Sequence, residues 1–245
     1  IRVATQFNTK FNAKNHLRYG FNYNHLMFSL MDEWPTGWEK TFQATGTGNF
    51  YQLYAQHKHR FNANVSVVGG MHINYFDVNN KFAFEPRFAF DWKVASRHRL
   101  SLGVGMHSRQ ESLAFYLVRR EDDVNQKNRF LDFSRAAHIV LGYDYSFYQD
   151  FSLHTEVYYQ FLYAIPVTNR VSAYSSINAS EAYEKRNLVN EGIGVNYGLE
   201  LTIEKSFSKN YYFLVTGSFY NSRYRGSDLV WRNTRFNGNY ITSVT

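Results

Sequence analysis

The 245-residue sequence predicts an all-β fold, an antiparallel transmembrane β-barrel with about ten strands present, and three observations carry that expectation. Apolar and polar residues alternate with a period of two over most of the chain. The connections between these segments are short and long by turns. Aromatic residues (Phe 22, Tyr 20, Trp 4) make up 19% of a chain whose mean hydropathy is only −0.47. Such a composition is too rich in apolar side chains for a disordered chain. No run approaches the roughly 18 consecutive apolar residues that a membrane-spanning helix needs.

Residues 81–94 are the clearest strand. Phe82, Phe84, Pro86, Phe88, Phe90, Trp92 and Val94 fall on one face, and Lys81, Glu85, Arg87, Asp91 and Lys93 on the other. A helix would scatter both sets around its circumference. The same alternation predicts strands over 1–11, 16–30, 51–61, 65–75, 100–108, 137–147, 151–163, 193–203 and 211–219, with the tail 236–245 starting another. Within 16–30 the apolar phase switches from Leu17, Tyr19, Phe21 and Tyr23 to Leu26, Phe28 and Leu30, and a bulge near Asn24 or His25 is expected there. At about 11 to 14 residues, the strands exceed the usual globular length of about 5 or 6 and suit a tilted membrane crossing.

Short turns are predicted at 12–15, 62–64, 95–99, 148–150 and 206–210. Longer connections are expected at 31–48, 110–133, 164–191 and 222–235, with a brief one at 77–80. Tight turns at one end and larger loops at the other are the pattern of outer-membrane barrels. An Arg or Lys at the lipid midplane costs roughly 2–4 kcal/mol. Glu85, Arg87, Asp91, Glu156, Glu200 and Glu204 are therefore expected to face the lumen. Tyr and Trp near strand ends fit interfacial girdles.

No catalytic constellation emerges: no Ser/His/Asp spacing or phosphate-binding Gly loop is present, and the absence of cysteine removes thiolate chemistry. The chain is expected not to be an enzyme, to use no cofactor and to hold no metal. His57 and His59 share a face but lack a carboxylate to complete a site. His72, His107, His138 and His154 read as lumen-wall residues. A net charge of +7 could suit nucleic acid, but the basic residues are scattered singly, so no nucleic-acid partner is expected. Outer-membrane lipid is the partner that the apolar face implies. The loops are the better place for recognition. Trp34, Trp38, Tyr116, Arg119, Arg120, Arg170 and Tyr174 are the candidate ligand contacts, because aromatic rings beside Arg can stack on sugars or hold anionic chelates.

The runs Phe84-Glu-Pro-Arg-Phe-Ala-Phe-Asp-Trp, Leu100-Ser-Leu-Gly-Val-Gly-Met-His-Ser-Arg-Gln and Gly192-Ile-Gly-Val-Asn-Tyr-Gly-Leu-Glu-Leu-Thr-Ile-Glu-Lys resemble barrel strands of TonB-dependent outer-membrane receptors of the Bacteroides type. Gly217-Ser-Phe-Tyr-Asn-Ser-Arg-Tyr and Arg232-Asn-Thr-Arg-Phe-Asn continue the resemblance, which spans nearly the whole chain. It implies that 1–245 is a later segment of one barrel of about 22 strands. The plug domain and the TonB-contacting segment are expected to lie outside this segment. It further implies uptake of a scarce nutrient (a metal chelate, cofactor or oligosaccharide), with energy supplied by TonB through the plug, in a Gram-negative outer membrane. Two other readings stay open on the residues: a self-contained ten-stranded outer-membrane barrel enzyme such as a protease or lipase, and a soluble β-sandwich adhesion module.

Overall fold

The computed structural model describes residues 1–32, 42–117, 127–148, 150–179 and 186–245. Among these residues ten long strands follow one another: β1 Arg2–Lys10, β2 Asn15–Asp32, β3 Phe42–Arg60, β4 Val65–Phe76, β5 Lys81–Ala95, β6 His98–Arg109, β7 Ser134–Ser146, β8 Phe151–Thr168, β9 Leu188–Ser208 and β10 Tyr211–Arg225. Two short ones, β11 Trp231–Asn233 and β12 Tyr240–Val244, both pair with β10. Each long strand pairs antiparallel with its sequence neighbour, and among the described residues the ten form a meander within a single 12-stranded sheet. Among the described residues no helix is long and apolar enough to cross a membrane, and the crossing elements are strands. The architecture is that of a transmembrane β-barrel wall.

The register explains the two faces. Phe7, Tyr19, Leu53, Met71, Phe84, Phe88, Leu141, Val157 and Phe219 stand exposed on one side of the sheet, as residues solvated by lipid must. Their alternates, including Asn22, Gln52, His72, Glu85, His138, Gln160 and Asn196, form the polar side. On that polar side Tyr54 lies directly opposite Gly20, and Tyr158 opposite Gly198. A side chain at Gly20 would run into the Thr5 carbonyl and the Tyr54 ring, so glycine gives the tyrosine a seat.

The expected bulge at Asn24 or His25 is absent: β2 pairs with β3 without interruption from Asn15↔His59 to Asp32↔Phe42. The phase switch has another cause. Leu26 and Phe28 point to the same side as Asn22 and pack against a buried cluster of Phe76, Leu113, Phe115, Tyr116, Leu131 and Phe133. Apolar residues appear on the inner face there because loop chains cover it. The strands also run further than expected at this end: β2 reaches Asp32 and β3 begins at Phe42 within the expected 31–48 connection, and β8 and β9 extend to Thr168 and from Leu188. Within the 110–133 connection lie a short helix, α1 Leu113–Leu117, and a 3-10 turn, Lys127–Phe130.

At the opposite end the turns are tight. Asn12 Oδ1 accepts from the amides of Lys14 and Asn15, both at 2.9 Å, and Asn62 repeats the arrangement for Asn64 and Val65 at 2.8 Å. These are Asx turns, which asparagine closes with its own side chain. The buried Lys205 Nζ closes the β9–β10 turn by donating to the carbonyls of Ser206, Ser208 and Tyr211 at 3.2, 3.0 and 3.1 Å.

Candidate functional site

The polar face carries a hydrogen-bonded centre built by β4, β5 and β6. Glu85 is 3% exposed, and a carboxylate buried this deeply needs its lone pairs filled. Oε1 accepts from Asn74 Nδ2 at 2.6 Å, from the Ser108 amide at 2.8 Å and from the Ser108 hydroxyl at 2.6 Å. Oε2 accepts from Arg87 Nη2 at 2.6 Å. Gln52 extends the chain by donating to Asn74 Oδ1 at 3.1 Å.

Three imidazoles stand beside this centre. His72 pairs with Glu85 across β4 and β5 and stacks under Tyr54, ring centroids 5.2 Å apart. His107 and His138 bring their Nε2 atoms to 3.1 Å, one donating and the other accepting. Gly70, Ala89, Gly103 and Gly105 leave a cavity of about 290 Å³ beside these side chains and Arg87. Its walls offer hydrogen bonds and positive charge. Among the described residues no group of three or more His, Asp or Glu is arranged to hold a metal ion.

The rest of the polar face is segregated by charge. In register on this side, β1–β3 carry Arg2, Lys10, Arg18, Lys58 and Arg60. Carboxylates gather on β7–β9, where His154 bridges Asp144 and Glu156 at 2.5 and 3.2 Å. Glu156 lies directly opposite Glu200, and Glu204 opposite Ser152. Asp91 on β5 is paired with Arg99 at 2.6 Å. The five carboxylates and one guanidinium that alternation assigned to the lumen thus occupy one face, opposite Phe84, Phe88, Val157 and Ile203.

At the long-connection end the loops are knitted together. Asn128 donates to the Arg186 carbonyl at 2.8 Å and accepts from the Leu188 amide at 2.9 Å. Asn190 accepts from the Asp132 amide at 2.8 Å and donates to the Ala164 carbonyl at 2.8 Å. Asn79 reaches the Leu131 carbonyl at 2.7 Å. The buried Glu111 accepts from the hydroxyls of Ser134 and Ser176 at 2.6 and 3.2 Å, beside a polar cavity of about 310 Å³ lined by Arg109, Gln110 and Phe115. None of these loop residues was singled out by the sequence, because each links segments more than 20 residues apart and has no local pattern to reveal it.

The loop candidates separate by location. Tyr116 is 1% exposed and its hydroxyl accepts from the Glu111 amide at 3.1 Å, so it is a core residue of the loop cluster. Burial raises its hydroxyl pKa well above the ordinary value. Tyr174 packs against the same cluster under the Arg186 guanidinium, 5.0 Å from its ring centre. Arg170 is exposed, and its carbonyl accepts from the hydroxyls of Thr168 and Ser227 at 2.9 and 2.6 Å. Trp34, Trp38, Arg119 and Arg120 lie outside the described residues.

Neither a protein-family model nor a curated protein matches the chain. Solved structures do. The apoprotein form of the FrpB iron transporter from Neisseria meningitidis (F5-1 variant) superposes on 99% of this chain with a TM-score of 0.67 at 17% identity. The fold is that of an outer-membrane receptor barrel. The ferric enterobactin receptor PfeA of Pseudomonas aeruginosa, as its G324V mutant, matches 91% of the chain with a TM-score of 0.63 at 12% identity. The siderophore receptor PirA from the same organism matches 91% with a TM-score of 0.64 at 10% identity. The chain spans about two fifths of these structures: 40% of FrpB, 38% of PfeA and 42% of PirA. These matches lend no support to a closed ten-stranded barrel or to a soluble sandwich.

Proposed function

We propose that this chain is wall and loops of a TonB-dependent receptor that imports an iron chelate across a Gram-negative outer membrane. The observation that carries the reading is the match of nearly the whole chain to the barrel of an iron transporter. An anionic ferric chelate also suits the guanidinium and imidazole groups beside the wall cavity. Arg170 and Tyr174, with Trp34, Trp38, Arg119 and Arg120, are the loop groups proposed to meet it. The plug domain and the TonB-contacting segment are proposed partners, and the chain itself performs no catalysis.

The test is iron-limited growth. Deleting the gene that encodes the chain should abolish growth on one ferric chelate supplied as sole iron source and leave growth on free ferrous iron unchanged. Uptake of the same radiolabelled chelate should stop when the proton gradient is collapsed. Undiminished uptake of every ferric chelate in the deletion strain overturns the reading.

A further inference from the structure

The cavity of about 310 Å³ at the long-connection end is lined by more than the loop cluster needs for its own packing. Arg109, at the end of β6, lines it from the polar face and stands in register with Ser134 at the start of β7. The 3-10 turn Ser176–Asn178 contributes Ser176 to its wall, and Phe115 of α1 adds an apolar side. The cavity therefore sits at the mouth of the lumen, at the end of an outer-membrane barrel that meets the medium.

Its polar lining is short of donors. Glu111 is 6% exposed, and its two oxygens are held unequally. Oε1 accepts from the Ser134 and Ser176 hydroxyls at 2.6 and 3.2 Å. Among the described residues Oε2 has only Arg109 Nη2 at 3.5 Å, the outer limit of a hydrogen bond. The Arg109 side chain is 68% exposed, so water screens most of its charge. Next to Glu111 in the chain, Gln110 buries its Oε1 with no hydrogen-bond partner. Buried acceptors left without donors are costly, and each calls for a partner. Two such oxygens and one buried negative charge on the walls of one cavity call for a cation that donates hydrogen bonds. A protonated primary amine offers three donors on one compact head. A metal ion suits the cavity less, because among the described residues no group of three or more His, Asp or Glu is arranged to hold one.

We propose that this cavity binds the primary ammonium group of a small organic ligand, which donates to Glu111 Oε2 and Gln110 Oε1 and lays its adjoining methylenes against Phe115. The inference rests on the import reading in one respect, that the amine is an arm of the imported chelate. Binding to the cavity is measured without uptake, so the two readings fail separately.

The test is saturation-transfer NMR of small probes on the full-length protein in lipid nanodiscs at neutral pH. Aminopentanol, with its amine and hydroxyl at opposite ends of a five-carbon chain, should bind. Pentanediol, which replaces the ammonium by a second hydroxyl, should bind about tenfold more weakly. Hydroxypentanoate asks whether Arg109 makes the cavity a carboxylate site instead, and it should not displace the amine. Glu111→Gln keeps an oxygen for Ser134 and Ser176 but removes the charge, and should weaken the amine about tenfold. Gln110→Leu removes an acceptor that no donor among the described residues uses, and should weaken the amine about fivefold. It leaves the hydrogen bonds of Glu111 in place and so carries the test should Glu111→Gln fail to fold, which slow migration of the unheated barrel on gels reports. Equal binding of amine and diol overturns the proposal, and so does displacement by hydroxypentanoate. Undiminished binding of the amine by the folded Gln110→Leu variant overturns it as well.

Discussion

Ser108 gives Glu85 both of its donors, the backbone amide at 2.8 Å and the hydroxyl at 2.6 Å, and both reach the same carboxylate oxygen. The pair joins β5 to β6 through a side chain just where their backbone ladder has ended, since the paired register runs only as far as Arg87↔Gly105. Removing the hydroxyl by Ser108→Ala is expected to cost about 1.5–3 kcal/mol, the value of a hydrogen bond to a charged group. Asn74→Ala removes another donor from the same oxygen, so the double variant should depart from additivity. Urea unfolding of the barrel measures both, and strict additivity would show that Glu85 does not couple them.

The two faces make a sharper prediction. Leu141 and Val140 are neighbours in β7, Leu141 exposed on the apolar side and Val140 opposite Gly103 on the polar side. Leu141→Arg is expected to destabilise the folded barrel by roughly 2–4 kcal/mol, as for a cation deep in the lipid band. Val140→Arg should cost far less, because Gly103 leaves the space beside it open. Folding yield into lipid vesicles distinguishes them, and equal losses would contradict the assignment of faces.

This alternation is why the wall was legible in the sequence. Period-two patterning located all ten long strands, the short-turn end and the side on which Glu85, Arg87, Asp91, Glu156, Glu200 and Glu204 stand. It misled only where the environment of the inner face changes. Leu26 and Phe28 obey the same register as Asn22, yet the loop cluster covers them, so apolar residues on the polar face imitated a bulge. The loop architecture was illegible for a related reason. Asn128, Asn190 and Glu111 act through partners distant in sequence, and nothing in their immediate neighbours marks them. Tyr116 illustrates the ambiguity of an aromatic in a loop: ligand platform and core residue have the same local signature, and only packing separates them.

The loop cluster is expected to behave as a small hydrophobic core. Phe133 is fully buried and packs against Phe50, ring centroids 6.2 Å apart. Phe133→Ala should cost about 3–5 kcal/mol locally. Tyr116→Phe strands the Glu111 amide and should cost about 1–3 kcal/mol. Both should raise hydrogen exchange in α1 and the 3-10 turn at 127–130 while leaving β7–β9 protected. Uniform loss of protection throughout the sheet would mean that the cluster is part of the wall's cooperative unit and not a separate cap.

The β10–β11 connection supplies a test in pH. Asp228 and Arg232 form a two-pronged pair, Nη1 to Oδ1 at 2.9 Å and Nη2 to Oδ2 at 2.6 Å, and the Val230 amide donates to Oδ1 at 3.2 Å. The Arg232 hydrogen bonds, followed by the Val230 amide, hold the Asp228 carboxyl below its ordinary value of 3.8. A group whose pKa is depressed on folding stabilises the fold above its unfolded pKa, and that contribution is lost as pH falls through the folded value. The loop at 226–232 should therefore stay ordered from neutral pH down to the ordinary carboxylate range and loosen only in stronger acid. Asp228→Asn, which cannot ionise, should be looser at neutral pH and show no such acid transition. Carboxyl-carbon NMR titration of Asp228, with protease sensitivity of the loop followed in parallel, reads both effects. Loosening that begins above the ordinary carboxylate pKa, or that persists in Asp228→Asn, would assign the transition to another group.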